Sequence, residues 1–100
     1  MPSITKQQAQ KFLEDIPAEY IFYCVDGSSA RNLDDLRNLL ASVTDVTFAY
    51  HSGPDKSDFG NWVADVIGDE KLARDLRKAK NRSQALAAVT SRIAFLKSKI

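Results

Sequence analysis

A single cysteine stands in the 100-residue chain, at position 24. No internal disulfide can form from it, and no thiol pair offers the spacing of a metal site. Histidine is as scarce, with His51 the only one. One imidazole and one thiol fall short of the four nitrogen and sulfur ligands that usually hold zinc. Four glycines and three prolines never gather into a tract. That leaves out a glycine-rich phosphate loop, a flexible linker and a low-complexity segment. No apolar run nears the roughly 20 residues that span a bilayer. Residues 1–10 join no basic start to an apolar stretch, so a secretory leader is not expected. These absences lead us to expect one cytoplasmic domain over residues 1–100, with no membrane partner, no metal and no cofactor.

What is present is an ordinary globular composition, 44% hydrophobic and 27% charged. Such a chain can bury enough apolar surface to offset the entropy of ordering. The net charge of +1 conceals a division. Residues 1–70 hold five basic and twelve acidic side chains, a net of −7, while residues 71–100 hold nine basic and one acidic, a net of +8. So strong a split points to an oriented contact.

Spacing along the chain reads as helices around one small β element. Ser3 and Thr5 are candidate caps, Thr5 with Gln8 at capping-box spacing, and Ala9, Phe12, Leu13 and Ile16 follow at helical intervals up to Pro17. Tyr20 to Val25 is aromatic and β-branched on both alternating faces, the pattern of a buried strand. Asp26-Gly27 marks a tight turn, with Ser28 to Arg31 as the short return strand. Asn32 caps a helix whose stripe is Leu33, Leu36, Leu39, Leu40 and Val43. Asp45 to His51 fits a short helix better than a strand, and Ser52 to Asp55 reads as a loop. Ser57 caps the next helix, with Phe59, Trp62, Val63, Val66 and Ile67 on one face and Gly68 at its end. Asp69 and Asn81 cap two more helices, and Asn81 with Gln84 resembles a second capping box. In the last helix Leu86, Val89, Ile93, Leu96 and Ile100 form a two-heptad seam, read first as core and second as a dimer contact. The expected core comprises Phe12, Phe22, Leu36, Leu39, Phe59, Trp62, Val66, Leu72, Leu86, Val89, Ile93 and Leu96.

Two clusters have chemistry to offer. Lys71, Arg74, Arg77, Lys78, Lys80 and Arg82 form a basic run over the fifth helix, with 71, 74 and 78 near one another. It suits phosphates, an acidic protein surface or anionic lipid. Its plainer reading is a solvated face with cations at a helix C-terminus. The helix–Gly–helix unit around Gly68 invites comparison with a DNA-reading helix-turn-helix, but Asp69, Arg74 and Arg77 stand where that motif buries apolar groups. The second cluster is Tyr50, His51, Lys56, Asp58 and Trp62 with Phe59, an imidazole, a carboxylate and a lysine among aromatics. Its plainer reading has His51 and Asp58 fixing the loop while Phe59 and Trp62 fill the core. A His-Cys nucleophile pair is arithmetically available, but Cys24 in an apolar strand would be buried and inert.

The stretch from Phe22 to Ala73 resembles a family of small domains of unknown function found in archaea and bacteria. The likeness rests on Phe22, Gly27, Leu33, Leu36, the pair Tyr50-His51, then Asp58-Phe59, Trp62, Asp65-Val66, Gly68-Asp69, Leu72 and Ala73. It covers about half the chain, and Ser57 stands where the family often has Asn. The resemblance implies an accessory or interaction module, since members occur alone or appended to larger proteins that include glycan-acting enzymes. It assigns no catalytic residue, and the N-terminal helix and basic C-terminal end lie outside its strongest part, so the basic surface is not credited to the family.

The expected architecture is α+β and predominantly helical, with four to five helices around a small β-hairpin in the N-terminal third. The expected function is a non-enzymatic interaction module, docking on a protein partner or on its own copy. The alternative is a sequence-tolerant nucleic-acid binder using residues 71–82. A weaker third expectation is an anionic ligand or glycan at Tyr50, His51, Lys56 and Trp62.

Overall fold

Thr5 sets the first helix. In the computed structural model, which describes residues 4–100, its hydroxyl accepts the Gln8 N–H and the Gln8 side chain accepts the Thr5 N–H, starting α1 (Lys6–Leu13). Ser3, the other candidate cap, lies outside the described residues. The helix stops at Leu13, well before Pro17, with Glu14 extended. The Ile16 N–H instead donates to the Arg31 carbonyl at 2.8 Å, which lays the chain against the coming hairpin.

That hairpin is shorter than expected. Only Phe22–Tyr23 (β1) and Ser29–Ala30 (β2) pair, while Ala18–Tyr20 form a single 3₁₀ turn. Phe22 and Cys24 point into the core, but Tyr23 is 69% exposed and Val25 is also exposed. A two-stranded hairpin covers only one of its faces, so strict alternation sends every second residue to water. Gly27 closes the turn at φ +94°, and the Asp26 carboxylate accepts both the Ser28 N–H and hydroxyl at 2.9 and 2.6 Å. Those bonds, the hydroxyl first, hold the Asp26 carboxyl below the ordinary aspartate range.

Asn32 caps α2 (Leu33–Ser42), whose five stripe residues are all buried. Thr44 caps α3 (Asp45–His51), so this segment is the expected short helix. The loop expected at 52–55 is part of a second small ladder, Ser52–Gly53 (β3) against Lys56–Ser57 (β4), turned by Pro54 and Asp55. The Ser57 hydroxyl accepts the Gly60 N–H and opens α4 (Asp58–Trp62). This helix widens into a π turn over Val63–Ile67, closed by the Gly68 N–H on the Val63 carbonyl at 2.7 Å. The extra residue in that turn rotates the stripe, so Ile67 is buried and Val66 only half-buried. Gly68, at φ +91°, ends it.

Asp69 caps α5 (Glu70–Lys78) and Asn81 caps α6 (Arg82–Lys97). Gln84 reaches the Lys80 N–H, one residue short of a true capping box. Helix α6 is the spine of the core, packed on α1, α2 and α5. Val89, Ile93 and Leu96 are buried there, so the middle of the heptad seam is core, as its first reading has it. Leu86 and Phe12 are half-buried and Ile100 is exposed. Among the described residues the fold is thus α+β and mostly helical, with six α-helices where four to five were expected, because 45–51 and 58–62 each form a separate short helix. Among the described residues no helix is long and apolar enough to cross a membrane.

The charge split closes partly on itself. Arg92 meets Asp69, Arg82 meets Asp45 and Lys97 meets Asp34, each joining the basic C-terminal third to the acidic remainder. The first of these pairs is buried, with Asp69 1% exposed and held at 2.7 and 3.0 Å by two nitrogens of Arg92. The same carboxylate accepts the Leu72 N–H, so one buried acid caps α5 and ties it to α6.

Candidate functional site

His51 ends α3 with its ring buried, 6% exposed, between Phe22, Tyr50 and Phe59. Its Nε2 accepts the backbone N–H of Val25 at 2.9 Å. An acceptor nitrogen carries no proton, so in the neutral ring the proton is on Nδ1, which donates to Asp58 Oδ2 at 3.0 Å. The imidazole therefore ties the first hairpin to the start of α4, with both nitrogens engaged. Lys56 Nζ lies 3.5 Å from the same carboxylate oxygen and 5.5 Å from the centre of the Tyr50 ring.

Of the second cluster, then, Tyr50, Lys56 and Asp58 face outward while His51 and Trp62 are buried. The Trp62 indole N–H donates to the Tyr20 carbonyl at 2.7 Å, and its ring packs edge-on against Phe22. Amphipathic spacing had already assigned it to the core. The structure thus presents Tyr50, Lys56 and part of Asp58 to solvent and packs His51 and Trp62 beneath them. Cys24 is buried and free. Among the described residues no three His, Cys, Asp or Glu side chains gather as a metal site.

The basic run divides three ways. Lys71 pairs with Asp75 one turn along α5 and borders the groove between α5 and α6. Arg82 is half-buried, bonded to Asp45 and to the Leu40 carbonyl at 3.0 Å, where it satisfies the end of α2. The spacing argument placed Lys71 and Arg82 on one surface with the others; their local acceptors remove them from it. Arg74, Arg77, Lys78 and Lys80 are exposed and form no ion pair among the described residues.

Among the described residues Arg77 alone of these makes a hydrogen bond with its side chain. Its Nη2 donates to Asn61 Oδ1 at 3.2 Å, across the contact of α5 with α4. Gly60 makes this crossing feasible, since a Cβ there would lie 2.9 Å from Arg77 Cγ and 3.1 Å from the Ala73 carbonyl oxygen. The arginine stands between two hollows on either side of the β3–β4 turn. One, about 240 Å³, is bordered by Asp55, Lys56 and Asn61. The other, about 380 Å³, is bordered by Ser52, Gly53, Pro54, Lys78 and Lys80, with no carboxylate.

Sequence reading missed Asn61, Gly60 and the Asp69–Arg92 pair. A glycine and an asparagine inside a helical stripe carry no periodic signal, and a pair 23 residues apart is settled by helix packing alone. No protein-family model, no curated protein and no solved structure matches this chain.

Proposed function

We propose that this chain is a non-enzymatic interaction module of the cytoplasm, and that a protein partner docks an acidic segment on Arg74, Arg77, Lys78 and Lys80. The observation that supports the reading is how the cations sort. Of the nine basic residues after position 70, four are ion-paired within the fold, namely Lys71, Arg82, Arg92 and Lys97. Four of the remaining five crowd into residues 74–80 at the end of α5. Free charge concentrated at one spot, with four of the other five C-terminal cations paired, is what an oriented contact needs.

The footprint favours a short acidic peptide over nucleic acid. Residues 74–80 cover the last five residues of α5 and two beyond it, a span of about 10–15 Å. Carboxylates flank this stretch, Asp55 beside Arg77 and Asp45 beside Lys80. A duplex presents a phosphate every ~1.7 Å and rewards a long cationic track. Two further observations support a role without catalysis: the His51 ring has both nitrogens engaged, and the lone thiol is buried. The resemblance to small accessory domains points the same way.

Anisotropy of a labelled oligoglutamate peptide, set beside a labelled mixed-sequence DNA duplex, tests the reading at low and near-physiological salt. The peptide is expected to bind, and Arg74→Glu with Lys78→Glu to weaken it at least fivefold without moving the melting temperature. Peptide affinity indifferent to both substitutions overturns the assignment. So does tighter duplex binding with a log–log salt slope of about −3.6, the value for four phosphate contacts.

A further inference from the structure

We propose that the hollow between α5 and the β3–β4 turn is a site for a phosphate monoester, carried on a side chain of the docking segment. The inference rests on the acidic-segment reading above and narrows it. The hollow, about 380 Å³, is bordered by Arg77, Lys78 and Lys80 on one side and by Ser52, Gly53 and Pro54 on the other. Three cations and no carboxylate meet there. A carboxylate brings one charge and two oxygens, which leaves two of those cations unmatched. A phosphate monoester brings about −1.5 to −2 charges and three strong acceptor oxygens at neutral pH.

Arg77 is already in place for such a group. The bond to Asn61 and the bare Cα of Gly60 fix the side chain across α4. Only Nη2 is held by that bond, so most of the five guanidinium donors remain for a ligand. A fork of this kind matches two phosphate oxygens at once. Ordering it beforehand removes part of the side-chain entropy that binding would otherwise cost. Lys78 and Lys80 act as mobile point charges around the third oxygen. On the turn, open space beside the Gly53 Cα leaves its backbone approachable, and Ser52 borders the same space. The hollow on the other side of Arg77 includes Asp55, which repels an anion. The site is therefore one-sided.

The test compares two labelled acidic peptides of one sequence, with a central phosphoserine or with serine, titrated into the full chain at near-physiological salt. Inorganic phosphate serves as competitor. The phosphopeptide is expected to bind at least tenfold tighter than its twin and to be displaced by millimolar phosphate. Arg77→Gln should abolish the preference, while Lys71→Gln should keep it. Should Arg77→Gln fail to fold, Lys78→Gln with Lys80→Gln, both on exposed positions, gives the same readout. Equal affinity for the two peptides overturns the phosphate site and leaves acidic docking standing. If neither peptide binds, or if a phosphodiester duplex outcompetes both, the site and the reading beneath it fall together.

Discussion

Arg77 and Gly60 meet where α5 crosses α4, and a methyl group on residue 60 would sit 2.9 Å from Arg77 Cγ. The two positions therefore act as one device, the glycine giving the arginine its path to Asn61.

Gly60→Ala is expected to cost stability and to unseat Arg77 together. Overpacking against the Ala73 carbonyl and the Ser57 hydroxyl, both 3.1 Å from the added carbon, should destabilise the fold by about 1–3 kcal/mol. Denaturant unfolding measures that loss. Acidic-peptide titration should show weaker binding than Asn61→Ala produces, since that change removes only the bond to the guanidinium. A variant with parental stability and affinity would show that Arg77 does not depend on the close approach.

The buried pair of Asp69 and Arg92 should be the most sensitive polar contact in the chain. Arg92→Leu leaves the carboxylate 1% exposed without its charge partner, though still capping α5. Loss of one partner of a buried pair costs about 3–5 kcal/mol. Small domains hold only about 5–15 kcal/mol in total. A melting curve little changed from the parent would mean that water reaches the site.

The His51 ring should show its tautomer directly. Nitrogen NMR of the neutral imidazole is expected to find the proton on Nδ1 and a bare Nε2 facing the Val25 N–H. His51→Ala removes the acceptor of that part-buried donor and should destabilise by about 0.5–1.5 kcal/mol for the lost bond alone. A proton on Nε2 would contradict the contact with Val25.

Asp26 should titrate below the ordinary aspartate range, because the Ser28 hydroxyl and N–H bond its charged form. A carboxylate depressed in the folded state adds stability above its unfolded pKa and loses that share as pH falls through its folded value. The hairpin should therefore loosen in acid, visible as faster exchange of the Ser28 amide. A carboxyl carbon midpoint at the ordinary aspartate value would remove the argument.

Most of the architecture was legible in the sequence because caps and stripes are local. Thr5, Asn32, Ser57, Asp69 and Asn81 all cap where their spacing indicated. The hairpin forms at the Asp26-Gly27 turn as expected, but its strands are shorter and buried on one face only, because residue type says which side chains favour a strand whereas the number of neighbouring strands decides which face is wet. Val66 was misplaced by a π turn that no spacing rule anticipates. In the site, the basic run was visible but its division was not. Lys71 and Arg82 looked equivalent to Lys78 until packing supplied Asp75 to one and the Leu40 carbonyl to the other.

On the proposed reading, the free cations of residues 74–80 receive an acidic protein segment. Amide chemical-shift mapping with an unlabelled acidic peptide tests it most directly. Shifts are expected at residues 74–80 and at Ser52, Gly53 and Lys56 beside them, and nowhere else. Shifts centred instead on Tyr23 and Tyr50, or none at millimolar peptide, would contradict it.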